Sequence, residues 1–276
     1  MTSHLLKLVF PQWQGSGDRR YTYHGARLIR DRLLMAGEYE EIPVNLDDIQ
    51  LENGIKGHGQ ILNQLKTANE ILSRNAPEKI FLIGGDCGTE LAPISYLNKR
   101  YGGDLAVVWF DAHGDLNSPA TSVTHNFHGM PLRCLLGDGD ESLLSHCSSL
   151  LTPSQVIMAG TRELDPAEEV FIKEKSMSCA SVEDMKSDMG LLVQMITSMG
   201  YRNVYAHIDL DVLYPDKYPW VQCPTEGGLD AGELMALLRD LKEELNLVGV
   251  SMLELRPAEN MDISTLRELV DFCSNL

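Results

Sequence analysis

Positive charge is scarce in this chain. Lysine and arginine number 23 against 40 aspartates and glutamates, which leaves a net charge of −17. A nucleic-acid binder needs clustered lysine and arginine to neutralise phosphates, so that class is set aside. The charge does not exclude a small cationic substrate, which a strongly negative field would attract. Long apolar runs are also missing. None reaches the roughly 18 residues of a membrane span, so no membrane role is expected. The N-terminal stretch lacks both a basic leader and a small-residue cleavage site, and reads as a strand. The six cysteines form no CxxC pair, which points to free thiols in a reducing cytoplasm. There is no repeat, no low-complexity tract and no linker-like segment, so residues 1–276 read as one domain.

What the chain does contain is alternation. Short apolar runs at residues 5–10, 80–83, 105–110, 156–159, 204–208 and 247–253 are bounded by Gly or Asp. Runs of this kind suit strands buried on both faces of a parallel sheet. Between them lie helical stripes: Ile61, Leu62, Leu65, Ala68, Ile71 and Leu72; Leu191, Leu192, Met195, Ile196 and Met199; and Leu234, Leu237, Leu238 and Leu241. Strand–helix alternation over the whole length predicts an α/β fold. In such folds the chemistry sits beyond the carboxyl ends of the strands.

Acids gather at those ends. LAVVWF runs into DAHGD, and NVYAHI runs into DLD. If the extended backbone persists, Asp111, His113 and Asp115 share one side, as do Asp209 and Asp211. KIFLI ends in GGDC, which presents Asp86 and Cys87 on a turn; Asp86 alone also suits a helix cap. Several carboxylates converging without a cation would repel one another. The oxygen-rich set, with an imidazole and a sulfur, suits a pair of divalent ions such as Mn²⁺ better than structural Zn²⁺.

GGDC, DAHGD and IDLDVLYP resemble the three metal motifs of the ureohydrolases (arginase, agmatinase, formiminoglutamase), in order and at similar spacing. The resemblance implies a three-layer α/β/α domain, a pair of Mn²⁺ ions with a hydroxide between them, and assembly as a trimer or hexamer. It implies that Asp111 and Asp209 bridge the ions. Asp115 would complete one site with Cys87, and His113 and Asp211 the other. Cys87 stands where most of the family has histidine, and a thiolate there would favour Zn²⁺ or Fe²⁺. Tyr214 likewise replaces a family aspartate.

The segment after the second motif is similar to the arginase version. That similarity implies Asn117, Thr124 and Asn126 around a substrate α-carboxylate, and Asp165 and Glu168 facing its α-ammonium. It implies Glu254, in MLELRP, against the guanidinium and His128, in NFHGMP, as the proton shuttle. His125 and His207 stay outside that set. The loop carrying Tyr218, Trp220 and Cys223 is expected to present exposed aromatics at the site mouth or a subunit contact. The expected activity is hydrolysis of L-arginine or a close guanidino amino acid to urea and an L-ornithine-type amine. The alternatives are Nω-hydroxy-L-arginine hydrolysis, agmatinase- or formiminoglutamase-type activity, and a catalytically impaired metal-binding relative.

Overall fold

The computed structural model describes residues 4–17, 19–35, 37–259 and 261–276. Its strands are β1 (Leu5–Phe10), β2 (Glu40–Glu41), β3 (Leu51–Glu52), β4 (Ile55–Lys56), β5 (Lys79–Gly84), β6 (Ala106–Phe110), β7 (Val156–Ala159), β8 (Ser178–Ala180), β9 (Asn203–Ile208) and β10 (Asn246–Met252). All but the β3–β4 hairpin join one eight-stranded sheet in the order β2-β1-β5-β10-β9-β6-β7-β8. Every pairing in that sheet is parallel. The six apolar runs are its long strands. The edge strands β2 and β8 are too short and too polar to show as apolar runs.

Side chains alternate between the two faces of each strand, and the core divides accordingly. Phe81 and Ile83, Val108 and Phe110, Ala206 and Ile208, and Val250 and Met252 face one helical layer. That layer holds α1 (Tyr21–Leu33), α7 (Val182–Ser187), α8 (Leu191–Met199), α9 (Ala231–Glu244) and α10 (Ser264–Cys273). Ile80, Leu82, Val107, Trp109, Tyr205 and Val248 face the other way. They meet α2 (His58–Asn75), α3 (Leu91–Arg100), α4 (Pro131–Leu135), α5 (Glu141–Leu144) and α6 (Pro166–Lys175). Of the helical stripes, Leu234, Leu237, Leu238 and Leu241 are wholly buried, whereas Leu191, Met195 and Met199 are only partly covered.

Because the sheet is parallel, its strands all deliver their carboxyl ends to one edge. At its centre β5, β10, β9 and β6 are consecutive neighbours. Their outgoing residues are Cys87, Glu254, Asp209 and Asp111. Two glycines make the approach possible. A Cβ at Gly249 would fall 2.2 Å from the Tyr205 ring, and one at Gly85 would fall 1.8 Å from the Gln12 carbonyl oxygen.

Candidate metal centre

Asp111 follows β6, is fully buried and donates its N–H to the Ala159 carbonyl (3.2 Å), while Asp209 donates its own to the Phe110 carbonyl (2.9 Å). The acids do converge, but not by strand alternation. The strands themselves end at Phe110 and Ile208. Asp209 then caps a 3₁₀ turn, Leu210–Val212, by accepting the Asp211 N–H (2.8 Å). Asp115 is turned back by a left-handed backbone (φ 54°), and Glu254 sits in the same strained region (φ 61°). Each such residue costs about 1–3 kcal/mol. That is comparable to what one fully buried leucine contributes, so both bends need firm support from their surroundings.

The ligand atoms form three overlapping groups: Cys87, Asp111, Asp115 and His207; Cys87, Asp209 and Glu254; and Asp111, His113 and Asp211. Within each, one donor atom per residue lies within 4.8 Å of the others. The Cys87 thiol donates to Asp209 Oδ2 (3.3 Å), and its backbone N–H donates to Glu254 Oε1 (3.1 Å). His113 Nδ1 is 2.9 Å from Asp211 Oδ2 and 3.5 Å from Asp111 Oδ1. His128 Nδ1 is 3.2 Å from Glu254 Oε1. Thus Glu254, buried at the end of β10, is engaged inside the site. Arg256 turns away to lie 4.3 Å over the Tyr21 ring.

Electrostatics mark the cluster as incomplete. Burial, with the Asp111 charge beside it, pushes Asp115 well above the usual carboxylate range. Burial and the neighbouring Asp211 and Asp111 do the same to Asp209. Asp211 rises to about 6 for the same reasons. Burial also lifts the Cys87 thiol, reinforced by Asp115 and Asp209. Burial opposes charge on Asp111 too, but His113 and His207 outweigh it and hold this carboxyl low. Burial opposes a charged His113, and Asp111 and Asp211 prevail to raise it. Asp115 Oδ2 and Glu254 Oε2 are buried without a hydrogen-bond partner among the described residues. Unpartnered carboxylate oxygens beside mutually repelling acids have the donor chemistry of a cation site. The residues therefore fit a pair of divalent ions. Cys87, Asp111 and Asp115 share one ligand group with His207, Asp111, His113 and Asp211 form another, and Asp209 groups with Cys87 and Glu254.

Above the acids opens a cavity of about 250 Å³. Its walls include Asn117, Ser122, Thr124, His128, Asp165, Glu168, Gln222 and Cys223, and among the described residues no lysine or arginine lines it. Asp165 caps α6, and Glu168 reaches back to its N–H (2.9 Å) while its other oxygen accepts the Leu116 N–H (2.9 Å). The capping and wall positions coincide in these residues. Asn117 donates to Asp165 Oδ2 (2.8 Å), so the group expected at the substrate α-carboxylate and one expected at its α-ammonium are tied together. Asn126 does not line the cavity. Its amide lies beside Gly17, and its Oδ1 is buried without a partner among the described residues.

Asp86 acts as a local brace, accepting from the Gly88 and Gly15 N–H groups and from the Gln12 amide. His125 contacts the Gly54 carbonyl and holds the β3–β4 hairpin. The expected exposed aromatic loop is not there. Tyr218 is buried, and Trp220 packs edge-on against it at 5.3 Å, because residues around Val221 pair with Leu255 at the end of β10. From that loop Gln222 and Cys223 reach the cavity; burial, with Glu254 nearby, lifts the Cys223 thiol to about 12. His207 was not assigned to the site from sequence, yet its Nε2 lies 3.5 Å from Asp111 Oδ2 and 3.9 Å from Cys87 Sγ. The available signal was its position two residues before Asp209.

A family profile described as the arginase family matches residues 12–275. The chain is 31% identical to the arginase of Bacillus subtilis over 246 residues, covering 84% of this chain and 81% of that one. It is 29% identical to an arginase of Staphylococcus aureus, covering 80% and 76%. An Entamoeba histolytica arginase, solved in complex with L-ornithine, superposes with a TM-score of 0.87 at 22% identity over 98% and 97% of the two chains.

Proposed function

The chain belongs to the arginase family, hydrolases acting on guanidino C–N bonds, and we propose that its substrate is L-arginine or a close guanidino amino acid, cleaved to urea and an L-ornithine-type amine. One observation carries this reading. The cavity has an acid floor with orphaned carboxylate oxygens, a second acid pair at its wall, and no lysine or arginine among its described lining residues. The acid floor suits a guanidinium and the wall acids an α-ammonium, while Asn117, Ser122 and Thr124 offer uncharged polar groups to a carboxylate beside it.

Asp111, Asp209, Asp115, Cys87, His113 and Asp211 would hold two divalent ions, Mn²⁺ foremost. Such a pair lowers the pKa of water between the ions and stabilises charge developing on the attacked carbon's substituents. Glu254, fixed by the Cys87 N–H and His128, pairs with the guanidinium and keeps its plane over the acids. His128 lines the cavity, and the Glu254 charge outweighs burial to raise its pKa, which favours the protonated form that a donor to the leaving amine needs. Asn117 and Thr124 face the α-carboxylate, with Ser122 beside them, and Asp165 and Glu168 face the α-ammonium.

Purified protein loaded with Mn²⁺ is expected to release urea from L-arginine faster than from agmatine, which lacks the carboxylate. Equal or reversed preference refutes the arginine-side assignment. Cys87 in the metal floor favours one second reading, Nω-hydroxy-L-arginine cleaved to hydroxyurea and L-ornithine; assaying both ureas across a guanidino panel separates the two. A cytoplasmic homo-oligomer, trimer or hexamer, belongs to the same proposal, supported by the free thiols and the family resemblance, and sedimentation tests its assembly.

A further inference from the structure

Replacing a family histidine with Cys87 removes an imidazole from one half of the metal pair. The fold supplies another from a different strand. His207 is the penultimate residue of β9 and is fully buried. Trp109 stacks on it face to face, with centroids 3.5 Å apart and planes 10° from parallel. Its Nδ1 lies 2.8 Å from Glu90 Oε1. Glu90 is pinned in turn by the Tyr205 hydroxyl (2.7 Å) and by the Ser251 hydroxyl. Nδ1 donates to the Glu90 carboxylate, which leaves Nε2 as the ring nitrogen that faces Cys87 and Asp111 and can give its lone pair to a cation. Carboxylate–histidine–metal chains orient ligating imidazoles in this way.

Resting on the reading that these acids hold metal, we propose that His207 Nε2 is a direct ligand of the ion nearer Cys87. That half of the pair is then a Cys87–His207–Asp111–Asp115 site, which takes a softer ion of the Zn²⁺, Co²⁺ or Fe²⁺ class, while the His113–Asp211 half remains the harder one. Metal–ligand bonds of about 2.0–2.3 Å place donor atoms roughly 3.3–3.8 Å apart around a tetrahedron. The observed 3.5 Å (His207 to Asp111) and 3.9 Å (His207 to Cys87) are close to that spacing. The buried, unpartnered Asp115 Oδ2 belongs to the same group of four. A set of one sulfur, one imidazole and carboxylates suits the softer cations better than Mn²⁺.

Cobalt tests this without reference to turnover. One equivalent of Co²⁺ added to metal-free protein is expected to give a thiolate-to-cobalt charge-transfer band in the near ultraviolet and intense four-coordinate visible bands. Cys87→Ser should abolish the first. His207→Ala should keep the charge-transfer band, weaken the visible bands several-fold and lower Co²⁺ affinity about 10–100-fold or more, with free imidazole restoring both. An unchanged spectrum and affinity in His207→Ala overturns the proposal while leaving the metal reading intact. Failure of wild-type protein to bind any cobalt overturns the metal reading itself. If His207→Ala does not fold, X-ray absorption of the wild-type one-equivalent complex decides. Sulfur and imidazole on the same ion support the assignment; sulfur without imidazole, or imidazole without sulfur, refutes it.

Discussion

Two regions of this molecule bury histidine against acid, and they are built on opposite terms. In the first, His58 of α2 meets Asp140 at 2.9 Å. Asp140 also accepts the Ser142 and Leu143 N–H groups, the Ser142 hydroxyl and, on its other oxygen, the Asn53 amide. Partial burial resists its charge, but these donors prevail and hold its carboxyl down at about 2. In the second, at the ends of β5, β6, β9 and β10, the acids outnumber their donors. Asp115 Oδ2 and Glu254 Oε2 lack partners among the described residues, and Asp115, Asp209 and Asp211 are all pushed up. A satisfied carboxylate has a structural task already complete. A buried group of carboxylates that outnumbers its donors has the chemistry to hold positive charge.

The sharpest way to break this contrast is Asp111→Asn. Asp111 touches both His113 and His207 and belongs to two of the three ligand groups. Its loss is expected to empty both ion positions and reduce urea release by more than the ~10–100-fold typical of a change outside the ligand shell. Metal content by mass spectrometry checks it; two ions per chain retained would refute the bridging role. His128→Asn should be smaller and different in kind. Metal content is expected to persist while kcat falls about 10²–10⁴-fold, the usual share of a general acid, and the neutral-pH limb of the rate profile should disappear.

Removing the metal reads the same contrast as stability. Each ion present at a thousand times its Kd adds about 4 kcal/mol. Its withdrawal should matter more as pH rises. Asp211, raised to about 6, favours the folded metal-free protein while it is protonated; that contribution is whole below its unfolded value near 3.8 and is lost as pH climbs through about 6. Ligand deprotonation strengthens metal binding over the same range. The gap in Tm between loaded and stripped protein is therefore expected to widen from pH 5 to pH 8. A gap that narrows would mean the acids are not the ion's ligands.

Much of this was legible before the fold, though not always for the right reason. Apolar runs ending in acid marked the strand exits, since a parallel sheet must send its polar residues out at one edge. Period-two spacing was the wrong mechanism for Asp115 and Asp211. A left-handed turn and a 3₁₀ turn bring them in, and neither has a signature in DAHGD or DLD. His207 was hidden because it lies inside an apolar strand, where alternation assigns a face but not a reach over the strand's end. Its partners Glu90 and Trp109, and the Ser251 hydroxyl that holds Glu90, come from three separate segments. Tyr218 was misplaced because an aromatic in a polar loop gives no hint that the loop pairs with Leu255. Asn126 fell outside the cavity because a similar motif sets spacing along the chain, not the rotation of each amide about it.

The satisfied region supplies the smallest effect and the control. Asp140→Ala removes the cap of α5 and the partner of His58, and a lost cap of this type costs about 1 kcal/mol. Activity and bound metal should not change, because neither His58 nor Asp140 lines the cavity. The pH dependence has the opposite sign to that of the metal site. Asp140 is depressed from 3.8 to about 2, so its contribution is whole above its unfolded value and fades as pH falls toward about 2. Denaturant unfolding at pH 6 should therefore show the full deficit of the variant, and the deficit should shrink below pH 4. A deficit that instead grew on acidification would mean that Asp140 is held in its protonated form, and the distinction between satisfied and unsatisfied carboxylates would fail where it is most easily measured.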